Sequence, residues 1–165
     1  MNELSNEGSI ILRPASTRDE DFFLQLYQSS RGEDLRGLGW DEDRISEFLE
    51  MQYEAQGNFH AGDFPNASDE VILLDSQPIG RLTIDRRVDE IHLVDLALLP
   101  DYRNRGFGSR LIQSLKEEAT LQRKPLRLQL IRFNRALGLF ERLGFMRTSE
   151  TGTHFQMEWV SEARP

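Results

Sequence analysis

Leu93-Val94-Asp95-Leu96-Ala97-Leu98-Leu99-Pro100-Asp101-Tyr102-Arg103-Asn104-Arg105-Gly106-Phe107-Gly108-Ser109 decides how this chain is read. From Ile91 to Leu99 the residues are nearly all apolar, the pattern of a central strand buried on both faces. Pro100 stops it. Leu111, Ile112, Leu115 and Ala119 then recur at helical spacing, which predicts a helix from about Gly106 to Leu121. A strand, a glycine turn and a helix start in immediate succession make an anion cradle. Glycine lets the backbone come close and adopt positive φ. The first helical amides lack intrahelical acceptors, and the helix dipole adds positive potential there. Arg103 and Arg105 bring full charges with the fork geometry that suits a phosphate. The expected guest is a pyrophosphate. The turn has G-x-G without the third glycine of a dinucleotide fingerprint. It also lacks the Lys-Ser/Thr ending of a nucleoside-triphosphate loop.

Working outward, Ser9–Arg13 reads as a short strand stopped by Pro14. Thr17-Arg18-Asp19-Glu20 reads as a capping box, opening a helix with Phe22, Phe23, Leu26 and Tyr27 on one face. The Gly-rich stretch Arg31–Gly39 is expected to break it. A second helix is expected over Asp41–Gln56, burying Ile45, Phe48, Leu49, Met51 and Ala55, with Gly57 as its end and a polar loop to Asp69. Val71–Leu74 and Ile79–Asp85 read as a hairpin about Asp75-Ser76-Gln77-Pro78. Leu126, Leu128 and Leu130 alternate with polar residues as a half-buried strand. Asn134 caps a helix with Ala136, Leu137, Phe140 and Leu143, ended by Gly144. Phe145–Thr148 and His154–Val160 read as a closing hairpin. The expectation is one domain over residues 1–165, a mixed α/β sheet with helices on its faces.

The 165 residues carry a net charge of −8, a pI near 4.9 and a mean hydropathy of −0.53. That balance argues against nucleic acid or an anionic membrane surface as partner. It hides an asymmetry, however. Asp101–Arg142 holds ten Lys/Arg against four Asp/Glu, a local +6, so the remainder carries −14. A basic segment inside an acidic chain suits one anionic ligand and a second, neutral or cationic partner. With no cysteine, neither disulfides nor a thiol nucleophile are available. No apolar run reaches the roughly 18 residues of a membrane span. The polar opening MNELSNEGS is unlike a secretory leader, so a cytoplasmic protein is expected. His60, His92 and His154 have no ligand spacing around them, and no metal is expected.

Arg103, Gly106 and Gly108 occupy the positions of Q/R-x-x-G-x-G/A, the acetyl-CoA motif of the GNAT superfamily of N-acetyltransferases, and the stretch Leu96–Gly108 resembles it throughout. Asn134-Arg135-Ala136-Leu137-Gly138-Leu139-Phe140-Glu141-Arg142-Leu143-Gly144-Phe145 resembles a second family signature, an Asn followed by Ala and an aromatic-x-x-Leu-Gly-Phe ending. The resemblance implies a mostly antiparallel central sheet flanked by helices, with strands splayed at the coenzyme site. It implies acetyl-CoA as cosubstrate. The pyrophosphate would lie on the amides of Asn104, Arg105, Gly106, Phe107, Gly108 and Ser109. The pantetheine would lie along Leu96, Ala97 and Leu98 like an added strand. Asn134 and Phe140 would line the other wall.

The implied chemistry is acyl transfer from a thioester to an amine of a small molecule or peptide. A base must take the ammonium proton, and Glu90, His92 and Asp95 are offered by the strand. His92 has the unperturbed pKa for neutral pH, whereas Asp95 would reach a useful range by burial. Family members often carry Tyr as the acid for the leaving thiolate, and here that position is Phe140. The thiolate then leaves unassisted or takes its proton from water. With no cysteine, direct transfer in a ternary complex is expected. The alternatives are a degenerate acyl-CoA sensor or partner-binding module and a nucleotide-binding regulator. The amine is expected near Trp40, Tyr53, Phe59, His60 and Phe64 with Glu50, Glu54 and Asp63. The C-terminal hairpin could pair across an edge as a homodimer.

Overall fold

The computed structural model describes residues 8–162 apart from 133 and 135, so the MNELSNE opening and Arg135 of the second motif lie outside the described residues. The strand order is β1-β2-β3-β4-β5-β7-β6, with β1 Ile10–Pro14, β2 Ser68–Leu74, β3 Gln77–Arg86, β4 Ile91–Leu98, β5 Leu126–Ile131, β6 Met146–Glu150 and β7 His154–Trp159. The helices are α1 Glu20–Gly37, α2 Glu42–Asp63, α3 Phe107–Gln122 and α4 Leu137–Arg142. Residues group into two compact units, one of 1–83 and 95–103, the other of 84–94 and 104–165.

In the first unit β1 runs antiparallel to β2, in register from Ile10 opposite Leu74 to Pro14 opposite Glu70. The β2–β3 turn is tighter than the sequence pattern suggests. Asp75 and Ser76 both take positive φ, 48° and 70°, so two residues suffice and Gln77 and Pro78 already belong to β3.

The capping box lies one residue earlier than expected. Ser16 and Asp19 form it, and Thr17 and Glu20 do not. Asp19 is drawn into that place by Arg13, which donates to both carboxylate oxygens at 2.8 and 3.0 Å, and by the Ser16 amide at 2.8 Å. These bonds hold the Asp19 carboxyl well below the usual carboxylate range, the Arg13 side chain first and the Ser16 amide second. A depressed folded pKa stabilises above the unfolded value near ~3.9 and loses that contribution as pH falls below it. Asp19→Asn is therefore expected to flatten the acid side of a Tm-against-pH curve below about pH 4. An unchanged acid limb would show that another carboxylate sets it.

Both N-terminal helices run further than their glycines suggest. α1 passes through Gly32 and ends at Gly37, and α2 passes Gly57 and Gly62 to Asp63, so the expected break at Arg31 and the first half of the expected loop from Gly57 to Asp69 are helical. A helical glycine costs only about 1 kcal/mol against alanine. The packing of α1 on α2 outweighs that. Phe23, Leu26, Ile45 and Leu49 are buried, the Tyr27 and Tyr53 rings meet at 5.5 Å, and the Asp41 carboxylate caps α2 through the Arg44 amide. Met51 and Ala55, expected in the core, are exposed, because α2 buries a narrower stripe than the pattern suggests.

In the second unit β4 and β5 are parallel and joined through α3, whose Leu111, Ile112, Leu115 and Ala119 form the expected buried stripe, with Phe107 buried as well. The β4–β5 ladder covers only Ile91–Leu93 against Leu126–Leu128. β5 pairs antiparallel with β7 over six residues, and β7 with β6, with an irregularity between Arg147 and Ser149. Asn134 accepts the Ala136 amide on its side-chain oxygen at 2.8 Å, which closes a turn ahead of α4. The helix is therefore shorter than expected, beginning at Leu137. Gly144, at φ 93°, ends the α4 turn as anticipated.

Candidate functional site: a glycine turn, a strand end and a polar cleft

The cradle is the start of α3. Asn104 and Gly106 both take left-handed backbone, φ 57° and 86°, which turns the chain sharply into the helix. Asn tolerates that region and glycine is at home there. No side chain caps the α3 N-terminus and its first turn holds no acidic residue. The dipole of this 16-residue helix thus meets no acidic side chain in its first turn. The Arg105 and Arg110 guanidiniums lie 5.2 and 5.9 Å from the Phe107 ring centre, putting two positive charges beside the turn.

Gly108 shows what this turn is shaped for. It is helical, its φ is not left-handed, and a Cβ built on it meets no atom within 4 Å. Neither strain nor internal packing requires glycine there. The space a Gly108 side chain would fill is open.

The C-terminal half of β4 belongs to the first unit. A Cβ on Gly80 of β3 would run into the Ala97 carbonyl oxygen and stand 2.9 Å from the Leu98 side chain. Only glycine allows the two strands this approach. Gly80→Ala must displace β4 at Ala97, and overpacking of that kind costs about 1–3 kcal/mol. The expected result is a lowered Tm in a thermal melt. An unchanged Tm would show that the strands part without cost.

Asp95 is partly buried on this half of β4. Burial pushes its carboxyl up, against the fields of Arg81, His60 and Arg31 and a hydrogen bond from the Leu96 amide. His92 is buried at the other end of β4, opposite Arg127 of β5. Burial lowers its pKa, with Glu90 and Asp85 opposing and Arg87 and Arg127 reinforcing. An ion-pair ladder runs beside it, from Asp85 through Arg87 and Glu90 to Arg127 and Glu158, at 2.7–3.2 Å.

Two residues of the motifs sit otherwise than expected. The Arg103 guanidinium, read as a phosphate ligand, donates to the Leu98 carbonyl and to the Ser30 hydroxyl. Phe140 is a core residue, 5 % exposed, in edge contact with Phe145 at 5.3 Å.

A cleft of about 530 Å³ lies within the first unit. It gathers Tyr53, Glu54, His60 and Phe64 from the expected acceptor set, and adds Glu20, Asp69, Arg81 and Thr83. Trp40 instead packs on Phe48 at 5.2 Å beneath Arg44, and Phe59 is exposed. Asp69 receives Arg81 at 2.8 Å and the Thr83 hydroxyl at 2.6 Å. Burial raises its carboxyl, but these bonds outweigh it and leave the pKa low. The polar alternation Arg81, Thr83, Asp85 along β3 was the sequence signal for this set, and it names no partner.

Residues 67–147 match the acetyltransferase (GNAT) domain model. No curated protein matches the chain by sequence. Among solved structures, the chain is similar to the PaiA N-acetyltransferase of Thermoplasma acidophilum in complex with coenzyme A, at 19% identity and TM-score 0.69, over 93% of this chain and 99% of that one. It is similar to the ribosomal-protein-S18-alanine N-acetyltransferase of Escherichia coli at 17% identity and TM-score 0.61, over 95% and 99%. It is also similar to a spermidine N-acetyltransferase SpeG chimera of Vibrio cholerae and hSSAT, at 19% identity and TM-score 0.61, over 92% and 95%. Among the described residues no helix is long and apolar enough to cross a membrane. The mixed sheet of mostly antiparallel strands and the glycine turn opening α3 agree with the matched model, and residues 67–147 form a GNAT acetyltransferase domain.

Proposed function

We propose that the protein transfers an acetyl group from acetyl-CoA directly to a primary amine of a small molecule or peptide. The observation that carries this reading is the sharp left-handed turn at Asn104 and Gly106 into a 16-residue helix whose first turn holds no acidic residue, with open space where a Gly108 side chain would stand. Asn104–Ser109 hold the diphosphate through main-chain amides, with Arg105 beside them. The backbone of Leu96, whose neighbour Ala97 faces β3, hydrogen-bonds the pantetheine as an added strand would.

Asp95 is the general base. It lies about 10 Å along β4 from Leu98, against about 20 Å for His92, at ~3.3 Å per residue. Its raised pKa fits a base that works near neutrality. Arg81 and His60, whose fields reach Asp95, also line the cleft, so the amine would enter from there. Glu20, Glu54 and the Tyr53 ring suit an ammonium before its proton is taken. A backbone amide near Leu98 faces the developing oxyanion. Phe140 has no proton to give, so the thiolate, with a pKa near ~8.5, leaves unassisted or through water.

The test is release of free CoA, followed with a thiol reagent on a panel of diamines, amino acids and peptide amines. Turnover on one class is expected. CoA binding with no turnover on any of them would favour an acyl-CoA sensor, the reading that the buried Phe140 supports. Thermal stabilisation by ATP or NAD and none by acetyl-CoA would overturn both.

A further inference from the structure

The Arg103 side chain holds a place that a phosphate ligand would leave. Its Nε donates to the Leu98 carbonyl at 3.0 Å and its Nη2 to the Ser30 hydroxyl at 2.7 Å. Ser30 is itself committed, because its hydroxyl donates to the Leu26 carbonyl at 2.9 Å. The polarity of the chain is therefore complete, from guanidinium to hydroxyl to α1 carbonyl. The peptide joining Leu98 to Leu99 is held at its other end too, since the Leu99 amide donates to the Ile79 carbonyl at 2.8 Å.

We propose that Arg103 is a positioning residue that ties the end of β4 to α1. It sets the orientation of the last peptides of the strand along which the thioester lies, and its guanidinium is not the grip on the diphosphate. This rests on the acetyltransferase reading of β4. Two acceptors on different elements, at a separation a fork can span, are what distinguish this use of arginine from a point charge. Lysine could satisfy one of them but not both. α1 also contributes Glu20 to the polar cleft, so the tie joins the helix that lines the acceptor side to the strand that carries the donor.

The experiment uses two acyl donors, acetyl-CoA and acetylpantetheine, the second of which has no diphosphate. Arg103→Met is expected to lower kcat/KM about tenfold with both donors alike, the size of one lost hydrogen bond to a charged group. The Kd for free CoA should change less than about threefold by that same scale. Ser30→Ala should reproduce part of the loss. The double variant should be no worse than Arg103→Met, because neighbours in one network are not additive. Arg103→Lys should recover part of the activity. A loss confined to acetyl-CoA, with weaker CoA binding and a silent Ser30→Ala, would make Arg103 a diphosphate ligand and overturn the proposal. A lowered Tm with unchanged kinetics per folded enzyme would reduce the tie to a fold support and overturn it as well. If the unmodified protein acetylates nothing, the acetyltransferase reading fails on its own. The tie is then still judged by the Ser30–Arg103 coupling in thermal unfolding, where additive effects would refute it.

Discussion

Gly108→Val is expected to abolish CoA binding while the protein stays folded. The added side chain meets nothing within 4 Å of its Cβ, so it introduces no internal clash. Valine is a better helix former than glycine, so the helix is expected to be no weaker. The branched side chain instead fills the space that a diphosphate needs to reach the α3 amides. We expect the Kd for CoA to rise at least about 100-fold, with Tm unchanged or slightly higher. Isothermal titration with CoA and a thermal melt without ligand measure the two halves. CoA binding within about threefold of the unmodified protein would place the diphosphate elsewhere and remove the support for the cradle.

Asp95→Asn should separate turnover from binding. If Asp95 takes the ammonium proton, kcat falls by about 10²- to 10⁴-fold, while the Kd for CoA changes little. In the unmodified enzyme, kcat/KM should rise with pH through an apparent pKa above the ordinary carboxylate value. That limb should vanish from the residual activity of the variant. Stability should move the opposite way. A carboxyl whose folded pKa is raised favours the neutral form, so its contribution is present at low pH and is lost as pH rises through that pKa. The amide that replaces it is neutral throughout, so the variant should gain Tm at about pH 8 and show no gain at about pH 3. His92→Gln is the control. Loss of turnover there, with Asp95→Asn active, would transfer the base to His92.

Much of this was readable along the chain. The cradle is local, built from a strand end, two glycines and the following helix, and sequence-adjacent residues make all of it. The α3 stripe, the β5 alternation, the Gly144 stop and the closing hairpin are likewise patterns of near neighbours. Misreadings arose where a local preference competes with packing. Gly32, Gly57 and Gly62 each disfavour helix by about 1 kcal/mol, and the contact between α1 and α2 overrides them. The capping box moved by one residue because Arg13, on β1, reaches Asp19.

The β2 and β3 side of the polar cleft and the partners of Arg103 were not legible, although Tyr53, Glu54, His60 and Phe64 were. Glu20, Asp69 and Arg81 are far apart in the chain, and only the pairing of β2 with β3 beneath the two helices assembles them. Arg103 occupies its motif position, and its neighbours in sequence favour an anion. Its actual partners, Leu98 and Ser30, are chosen by where α1 ends up. Short-range order, set by φ preferences, apolar period and helix-end amides, can be written in a dozen consecutive residues. The direction in which a long charged side chain points depends on which acceptors the fold brings within about 3 Å, and that is a property of distant segments meeting in space.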